Sequence, residues 1–267
     1  VRITAERAAE LLGGTLAMSE RLQGGDVAEV LRLELADGRT AVVKADRRAE
    51  AEARMLEAIK RAGAPAPDIL ARADGLLIMS DLGGSEGVAA ASADLGDAIL
   101  RLHAATGEVY GWETDHGFGP VAIPNGETED WPTFWAERRL LPFCDTLPDD
   151  LAHAVEAAAS RLGEILPKRP RPALLHGDLW SGNVMTRGGR VTGLIDPACY
   201  HGHAEVDLAM LCLFGNPGDA FWEVYGPDAG HETRRPAYQL WPALVHLTLF
   251  GSGYRELVER CLSALPR

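Results

Sequence analysis

One stretch restricts the architecture of this chain more than any other: Leu174-Leu175-His176-Gly177-Asp178-Leu179-Trp180-Ser181-Gly182-Asn183, followed by Leu194-Ile195-Asp196. An acid stands five residues before an Asn, and a second acid thirteen residues after it. Between them, Val184-Met185-Thr186 and Val191 to Ile195 read as short apolar strands around Arg187-Gly188-Gly189-Arg190, a turn signal for a tight hairpin. Such a hairpin returns Asp196 towards Asn183.

This pattern suits phosphoryl transfer from ATP, which depends on positioning and charge neutralisation more than on covalent help from the protein. Asp178 can orient an acceptor hydroxyl and accept its proton. Asn183 and Asp196 supply hard oxygens, which Mg²⁺ takes in small numbers alongside water and phosphate. Any one of these residues alone would be explained as a turn or cap, because Asp and Asn readily hydrogen-bond nearby backbone. Their order and spacing together match the catalytic-loop signature of kinases. His176 is expected to pack and shape the loop, since the base role belongs to the Asp.

The rest of the chain reads as two lobes, residues 1–80 and 81–267. Thr4 to Leu12 looks helical, and Thr15 to Leu22, Glu29 to Leu35 and Thr40 to Ala45 read as strands separated by Gly24-Gly25 and Asp37-Gly38. Ala49 to Arg61 has the pattern of an amphipathic helix, and Ile69 to Ala71 with Leu76 to Met79 complete a five-stranded antiparallel sheet. Beyond it, Ser92 to Ala105, Thr133 to Leu140, Asp149 to Leu166, Val206 to Phe214 and Pro242 to Leu262 are expected helices, the last a candidate for a break at Gly251 and Gly253. The second lobe is expected to be mostly helical apart from the hairpin, which makes the class α+β.

The first lobe holds the expected nucleotide side. Gly24 and Gly25 lie between two strands, where glycine lets backbone amides approach phosphates, although a plain hairpin turn would use the same residues. Lys44 closes Ala41-Val42-Val43-Lys44, which resembles the strand whose Lys contacts the α/β-phosphates in kinases. Its expected partner is Glu52 in the following helix, with Glu50 and Glu57 as rivals. Ser80, Asp81 and Leu82 join the lobes, where backbone groups can meet adenine; a plain linker is the alternative.

Composition narrows the partners. The formal net charge of −13 over 267 residues argues against nonspecific binding to nucleic acid or anionic membranes. Cys144, Cys199, Cys212 and Cys261 show no metal-binding spacing. No stretch approaches a membrane span, and the first residues lack a basic segment followed by an apolar core. A cytoplasmic setting is the expectation, and the oligomeric state stays open.

The catalytic run, Ile195-Asp196-Pro197-Ala198-Cys199-Tyr200, Glu205-Val206-Asp207-Leu208-Ala209-Met210, Leu100-Arg101-Leu102-His103, Tyr110-Gly111-Trp112, Gly117-Phe118-Gly119 and Glu137-Arg138-Arg139-Leu140 together resemble the fructosamine kinase (ketosamine-3-kinase) family. That family falls within the aminoglycoside phosphotransferase/choline kinase-like group, which has a protein kinase-like two-lobed fold. The resemblance implies phosphorylation of a ketosamine sugar 3-hydroxyl, with Asp178 as base, Asn183 and Asp196 on Mg²⁺, the Lys44–Glu52 pair beside the ATP phosphates, and Ser80, Asp81 and Leu82 at the adenine. Asp207 matches an Asp that braces the catalytic loop. Trp180 is a candidate to flank the acceptor sugar, with core packing as the alternative. Tyr200, His201 and His203 are candidates to line the acceptor cleft. Pro197 stands where a protein kinase has Phe-Gly, which favours a small-metabolite acceptor over a regulated activation segment. His201-Gly202-His203-Ala204 departs from the Tyr-Gly-Asp-Arg of many relatives. The glycine loop lacks the Cys that some relatives carry. An aminoglycoside- or choline-type acceptor, and a noncatalytic nucleotide-binding pseudokinase, are the competing readings.

Overall fold

A computed structural model describes residues 5–22, 29–73 and 75–266. Alternation along the first strands decides which side chains reach the space between the lobes. After α1 (Ala5–Leu11), the strands β1 (Leu16–Arg21), β2 (Glu29–Leu35) and β3 (Thr40–Ala45) form an antiparallel meander. Successive strand side chains point to opposite faces. Ala41, Val43 and Ala45 therefore pack with Leu33 and with Ala5 and Ala8 of α1. Val42 and Lys44 face the other way, where Val42 packs against the core beneath α2 (Ala49–Arg61).

The hairpin of β4 (Ile69–Ala73) and β5 (Leu76–Ser80) repeats the division: Leu76 and Ile78 join the α1 side, Leu77 and Met79 the α2 side. The strand order β1-β2-β3-β5-β4 puts β3 at the centre of the sheet, between β2 and β5. Helix α2 buries Ala49, Glu52, Ala53, Leu56 and Ile59 at the spacing of one helical face. Glu52 is thus carried on the face that looks at the sheet. The helix ends at Ala62-Gly63, where Gly63 adopts φ 85° and its N–H reaches the Lys60 carbonyl.

The larger lobe begins with α3 (Ser92–Ala104), the short hairpin β6 (His116–Phe118)–β7 (Val121–Ile123) and α4 (Trp131–Trp135), which continues into a π-helical turn over Ala136–Leu140. Asp130 caps α4 by accepting from the Thr133 N–H at 2.9 Å. There follow α5 (Asp149–Ser160), α6 (Leu162–Ile165), β8 (Ala173–Leu175), the hairpin β9 (Val184–Arg187)–β10 (Arg190–Leu194) and β11 (Tyr200–Gly202), which pairs with β8. The chain ends with α7 (Glu205–Leu211), α8 (Asp219–Tyr225), α9 (His231–Phe250) and α10 (Arg255–Ser263). The core of this lobe is aromatic, with Trp131, Phe134, Trp135, Tyr200 and Tyr238 all buried. Arg139 is buried among them, its guanidinium 4.2 Å from the Tyr200 ring centroid and donating to Asn125 Oδ1 at 2.7 Å.

The five-stranded sheet, α2 and the catalytic hairpin match expectation, and the break at Gly251 falls where the glycines stand. Four features correct it. The expected helix from Asp149 to Leu166 is divided at Arg161, which ends α5 and precedes α6 at φ −98°, ψ −3°. The lobe contains two further strand pairs, β6–β7 and β8–β11, whose three-residue strands are too short for alternation to show. Helix α8 lies outside the expected set. Helix α9 starts eleven residues before Pro242 and runs through Pro236 as well. Proline reads as a helix start or break, but burial of Ala237, Tyr238, Leu240 and Trp241 holds this segment in the helix.

Candidate active site

The cleft between the lobes is built around Lys44. Its Nζ lies 2.7 Å from Glu52 Oε2 and 2.7 Å from Asp196 Oδ1, so one ammonium joins β3, α2 and the segment after β10. Burial disfavours the charged Lys44, but the carboxylates of Glu52 and Asp196 outweigh it and raise its pKa above the usual lysine value. Glu50 and Glu57 instead pair with Arg72 at the surface, at 3.3 and 2.9 Å. The face that α2 buries therefore selects Glu52.

Asp178 sits in the turn between β8 and β9. Gly177 precedes it at φ 80°, and a Cβ there would lie 2.0 Å from the Ala198 carbonyl oxygen. Only glycine lets the two segments approach so closely. Asp207, fully buried at the start of α7, accepts the His176 N–H at 2.7 Å and the Gly177 N–H at 2.9 Å. His103 of α3 contacts the same carboxylate at 3.1 Å and the Tyr225 hydroxyl at 2.8 Å. His176 is buried; its Nδ1 accepts the Asp178 N–H at 3.3 Å and its Nε2 donates to the Ile195 carbonyl at 3.0 Å. It holds the loop to the segment after β10 that carries Asp196.

Asn183 Nδ2 donates to the Asp178 backbone carbonyl at 2.8 Å and to Asp178 Oδ2 at 3.0 Å. Its Oδ1 has no protein donor among the described residues, which leaves it available to a cation. The Ile195 N–H donates to the Asn183 carbonyl at 3.0 Å, fixing Asp196 beside it. Asp196 has φ 53°, unique among the described non-glycine residues, and the Lys44 contact helps to offset that strain. Burial pushes the Asp178 carboxyl up to about 7, with the Asn183 hydrogen bond opposing and the Asp196 charge reinforcing. The set of two side-chain oxygens, from Asn183 and Asp196, fits Mg²⁺ held jointly with phosphate rather than a metal caged by protein alone.

At the lobe junction, Ser80 exchanges hydrogen bonds with Asp68: its N–H donates to the Asp68 carbonyl and its Oγ accepts the Asp68 N–H, both at 2.9 Å. Asp81 pairs with Arg32 at 2.6 Å and accepts the Gly83 N–H at 2.8 Å, so its side chain is held by the protein. Leu82 packs over Gly193 of the hairpin. Gly24 and Gly25 lie outside the described residues.

One cavity of about 540 Å³ contains Lys44, Glu52, Asp178, Trp180, Asn183 and Asp196. Trp180 is 40% exposed and lies against Gly182, where a Cβ would come within 2.3 Å of the indole. Tyr200 and His201, expected near the acceptor, are not in this cavity. Tyr200 is fully buried against Phe134 and Arg139, because the inward face of β11 meets the aromatic core. His201 points the other way, onto Trp112 and Gly107. His203 is buried against the Tyr238 hydroxyl at 2.7 Å.

The cavity has walls that the sequence did not announce. The β6–β7 turn contributes His116 to Gly119, and Arg48 donates to the Gly119 carbonyl at 2.9 Å and to the Gly117 carbonyl. Burial pushes the His116 imidazole down to about 4, so it is neutral at physiological pH. Met210, Phe214, Trp241 and residues from Pro242 to Tyr254 complete the far side. Gly117-Phe118-Gly119 was the signal for the turn, visible only as a fragment of family pattern.

The fructosamine kinase family model matches residues 4–266. A probable ketoamine kinase of Synechocystis sp. is 38% identical over 187 residues, a match covering 65% of this chain and 61% of that protein. The crystal structure of a protein from Thermobifida fusca YX-ER1, provisionally named a fructosamine-3-kinase, superposes with a TM-score of 0.89 at 33% identity, covering 99% of this chain and 98% of that one. A thermostable aminoglycoside phosphotransferase superposes at 0.66 and 17% identity over 98% of this chain and 96% of its own, which places the fold in the protein kinase-like class.

Proposed function

The chain belongs to the fructosamine kinase family, and from that premise we propose that it transfers the γ-phosphoryl group of ATP to the 3-hydroxyl of a ketosamine, a fructosamine or ribulosamine, in deglycation of proteins or amino acids. The observation that carries the reading is the convergence of Lys44, Asp178, Asn183 and Asp196, drawn from both lobes, on one cleft. Family membership supplies the acceptor class.

In this reading residues 1–80 form the nucleotide lobe and 81–267 the catalytic lobe. Lys44, held by Glu52, binds the phosphates, and the backbone of Ser80, Asp81 and Leu82 meets adenine. Asn183 and Asp196 would hold Mg²⁺, which neutralises charge on the phosphate oxygens. Asp178 accepts the acceptor hydroxyl's proton as the oxygen attacks phosphorus. A carboxyl with a pKa near 7 suits that task, since a base works best when its pKa is close to the working pH. Asn183, hydrogen-bonded to Asp178, keeps the base and the metal side in register. Trp180 flanks the sugar. The free cysteines Cys144, Cys199, Cys212 and Cys261 agree with a cytoplasmic setting, and among the described residues no helix is long and apolar enough to cross a membrane.

ADP release is the test, measured with Mg·ATP and a panel of fructosyl and ribulosyl amines, aminoglycosides and choline. Turnover on the ketosamines supports the assignment; turnover confined to aminoglycosides or choline contradicts it. A noncatalytic nucleotide binder would show ATP binding with no turnover on any acceptor, and the intact Lys44, Asp178, Asn183 and Asp196 argue against it.

A further inference from the structure

A second cavity, of about 530 Å³, opens on the large lobe and shares no residue with the cleft around Lys44. It lies among the end of α3, the segment from Pro167 to Arg171, the residues before α7, Tyr225 of α8 and the start of α9. Two donors on its wall have no acceptor. Tyr238 Oη takes the Trp131 indole N–H at 2.9 Å, so the hydroxyl's own proton goes to His203 Nδ1, 2.7 Å away. That bond leaves the His203 proton on Nε2. The carboxylate it faces, Glu205 Oε1, is 3.8 Å away, beyond hydrogen-bond reach. His203 is 7% exposed, so its Nε2–H is a nearly buried donor that meets the cavity unpartnered. Arg234 uses Nε and Nη2 on Glu205 and Nη2 on the Ala229 carbonyl, and its Nη1 has no acceptor among the described residues.

Two converging donors, one of them a guanidinium, call for an oxyanion. A simple anion leaves the site incomplete, because the exposed Asp228 also lines it, and its carboxylate forms no ion pair or hydrogen bond among the described residues. The charges of Asp228 and Arg234 both act on the His203 imidazole, which places the acid close to the two donors. A carboxylate and an ammonium on neighbouring atoms match that arrangement. Leu100, Pro167, Pro170 and Ala229 offer apolar surface to a hydrocarbon side chain. Tyr225 Oη, also in the lining, is 2.8 Å from His103 Nδ1, and His103 Nε2 donates to Asp207 at 3.1 Å. Asp207 in turn accepts the N–H groups of His176 and Gly177. We propose that this cavity binds a free α-amino acid with an apolar side chain, its carboxylate on His203 and Arg234 and its ammonium on Asp228 and Tyr225, and that the ligand tightens Asp207's hold on the catalytic loop. An ammonium that donates to Tyr225 Oη polarises the chain through His103 to Asp207, since linked hydrogen bonds strengthen one another. The site is independent of which acceptor the cleft phosphorylates.

The test is isothermal titration of the protein with leucine, leucinamide and N-acetyl-leucine, with Mg·AMP-PNP saturating so that the nucleotide site is filled. Leucine should bind one equivalent, and the two analogues, each lacking one charge, should bind more weakly by roughly tenfold or more. Asp228→Asn should weaken leucine by roughly tenfold, while its unfolding midpoint and ATP affinity, measured without leucine, stay at the parent values. Amide hydrogen exchange at His176 and Gly177 should slow by roughly fivefold when leucine is added to the parent protein, and the same addition to Asp228→Asn should have far less effect. Absence of saturable leucine binding, equal binding of either analogue, or binding unaltered in Asp228→Asn overturns the proposal. Leucine binding with unaltered exchange at the two loop amides overturns it as well. None of these readouts involves the acceptor, so failure here leaves the ketosamine reading untouched.

Discussion

Lys44 and Asp196, 152 residues apart in sequence, meet at 2.7 Å. The contact closes the small sheet onto the catalytic segment, and Glu52 holds the same ammonium from the opposite side at 2.7 Å. Strand alternation turns Lys44 towards α2, the buried face of α2 presents Glu52, and the β9–β10 hairpin delivers Asp196. Three local rules thus end on one nitrogen atom.

Replacing Lys44 should separate stability from turnover. In Lys44→Met, Glu52 keeps no partner in a site where its Oε1 already has none, and the loss should be roughly 3 kcal/mol. Adding Glu52→Gln should recover most of that stability in urea denaturation without restoring ADP release. A double variant as unstable as the single one would place the cost elsewhere.

Asp178→Asn should lower kcat by roughly 10²–10⁴ and leave ATP affinity near that of the parent protein, since the proposed reading gives the residue a role at the acceptor and none at the nucleotide. Isothermal titration with ATP alongside turnover measures both. Near-native turnover would remove Asp178 from the base role.

Gly177→Ala tests the close approach of the two catalytic segments. The residue has φ 80° and a Cβ would stand 2.0 Å from the Ala198 oxygen, so the variant should lose at least about 2 kcal/mol together with its turnover. Gly163→Ala, where no atom lies within 4 Å of the added methyl, is the control and should unfold at or above the parent midpoint.

His203 gives the fold an acid sensitivity. Burial pushes its imidazole down to about 4, with Glu205 opposing and Arg234 reinforcing. The unfolded chain takes up the proton near pH 6.5 and the folded chain resists it. The contribution is therefore complete above pH 6.5 and is lost as pH falls towards 4, by roughly 3 kcal/mol at the low end. His203→Asn should be less stable than the parent at pH 7.5, and the gap should narrow or reverse by pH 4.5. A gap independent of pH would show that His203 stays equally protonated in both states.

The parts of the molecule that sequence disclosed are those governed by local rules. Short apolar runs bounded by turn residues exposed β2, β3 and β5, the apolar stripe of α2 exposed that helix, and Gly188-Gly189 marked the hairpin between Asn183 and Asp196. The preference for Glu52 over its rivals depended on helix phase, which the sheet beneath α2 fixes at Glu52. Tyr200 and His201 escape a local reading because β11 is only three residues long, and its pairing with β8, formed across 25 residues of chain, decides which way each side chain points. The wall of the cavity is hidden for the same reason: Pro236 and Pro242 mask the start of α9, and the rings of Phe214 and Tyr254 come together only through tertiary packing.

The most direct measurement of the central claim is the site of phosphorylation. Incubating the protein with Mg·ATP and fructosyl-methylamine, and examining the product by phosphorus–proton correlation NMR, should show a single phosphate coupled to the sugar H3. A phosphate coupled to the C6 protons, or a product formed only from aminoglycosides, would contradict the account.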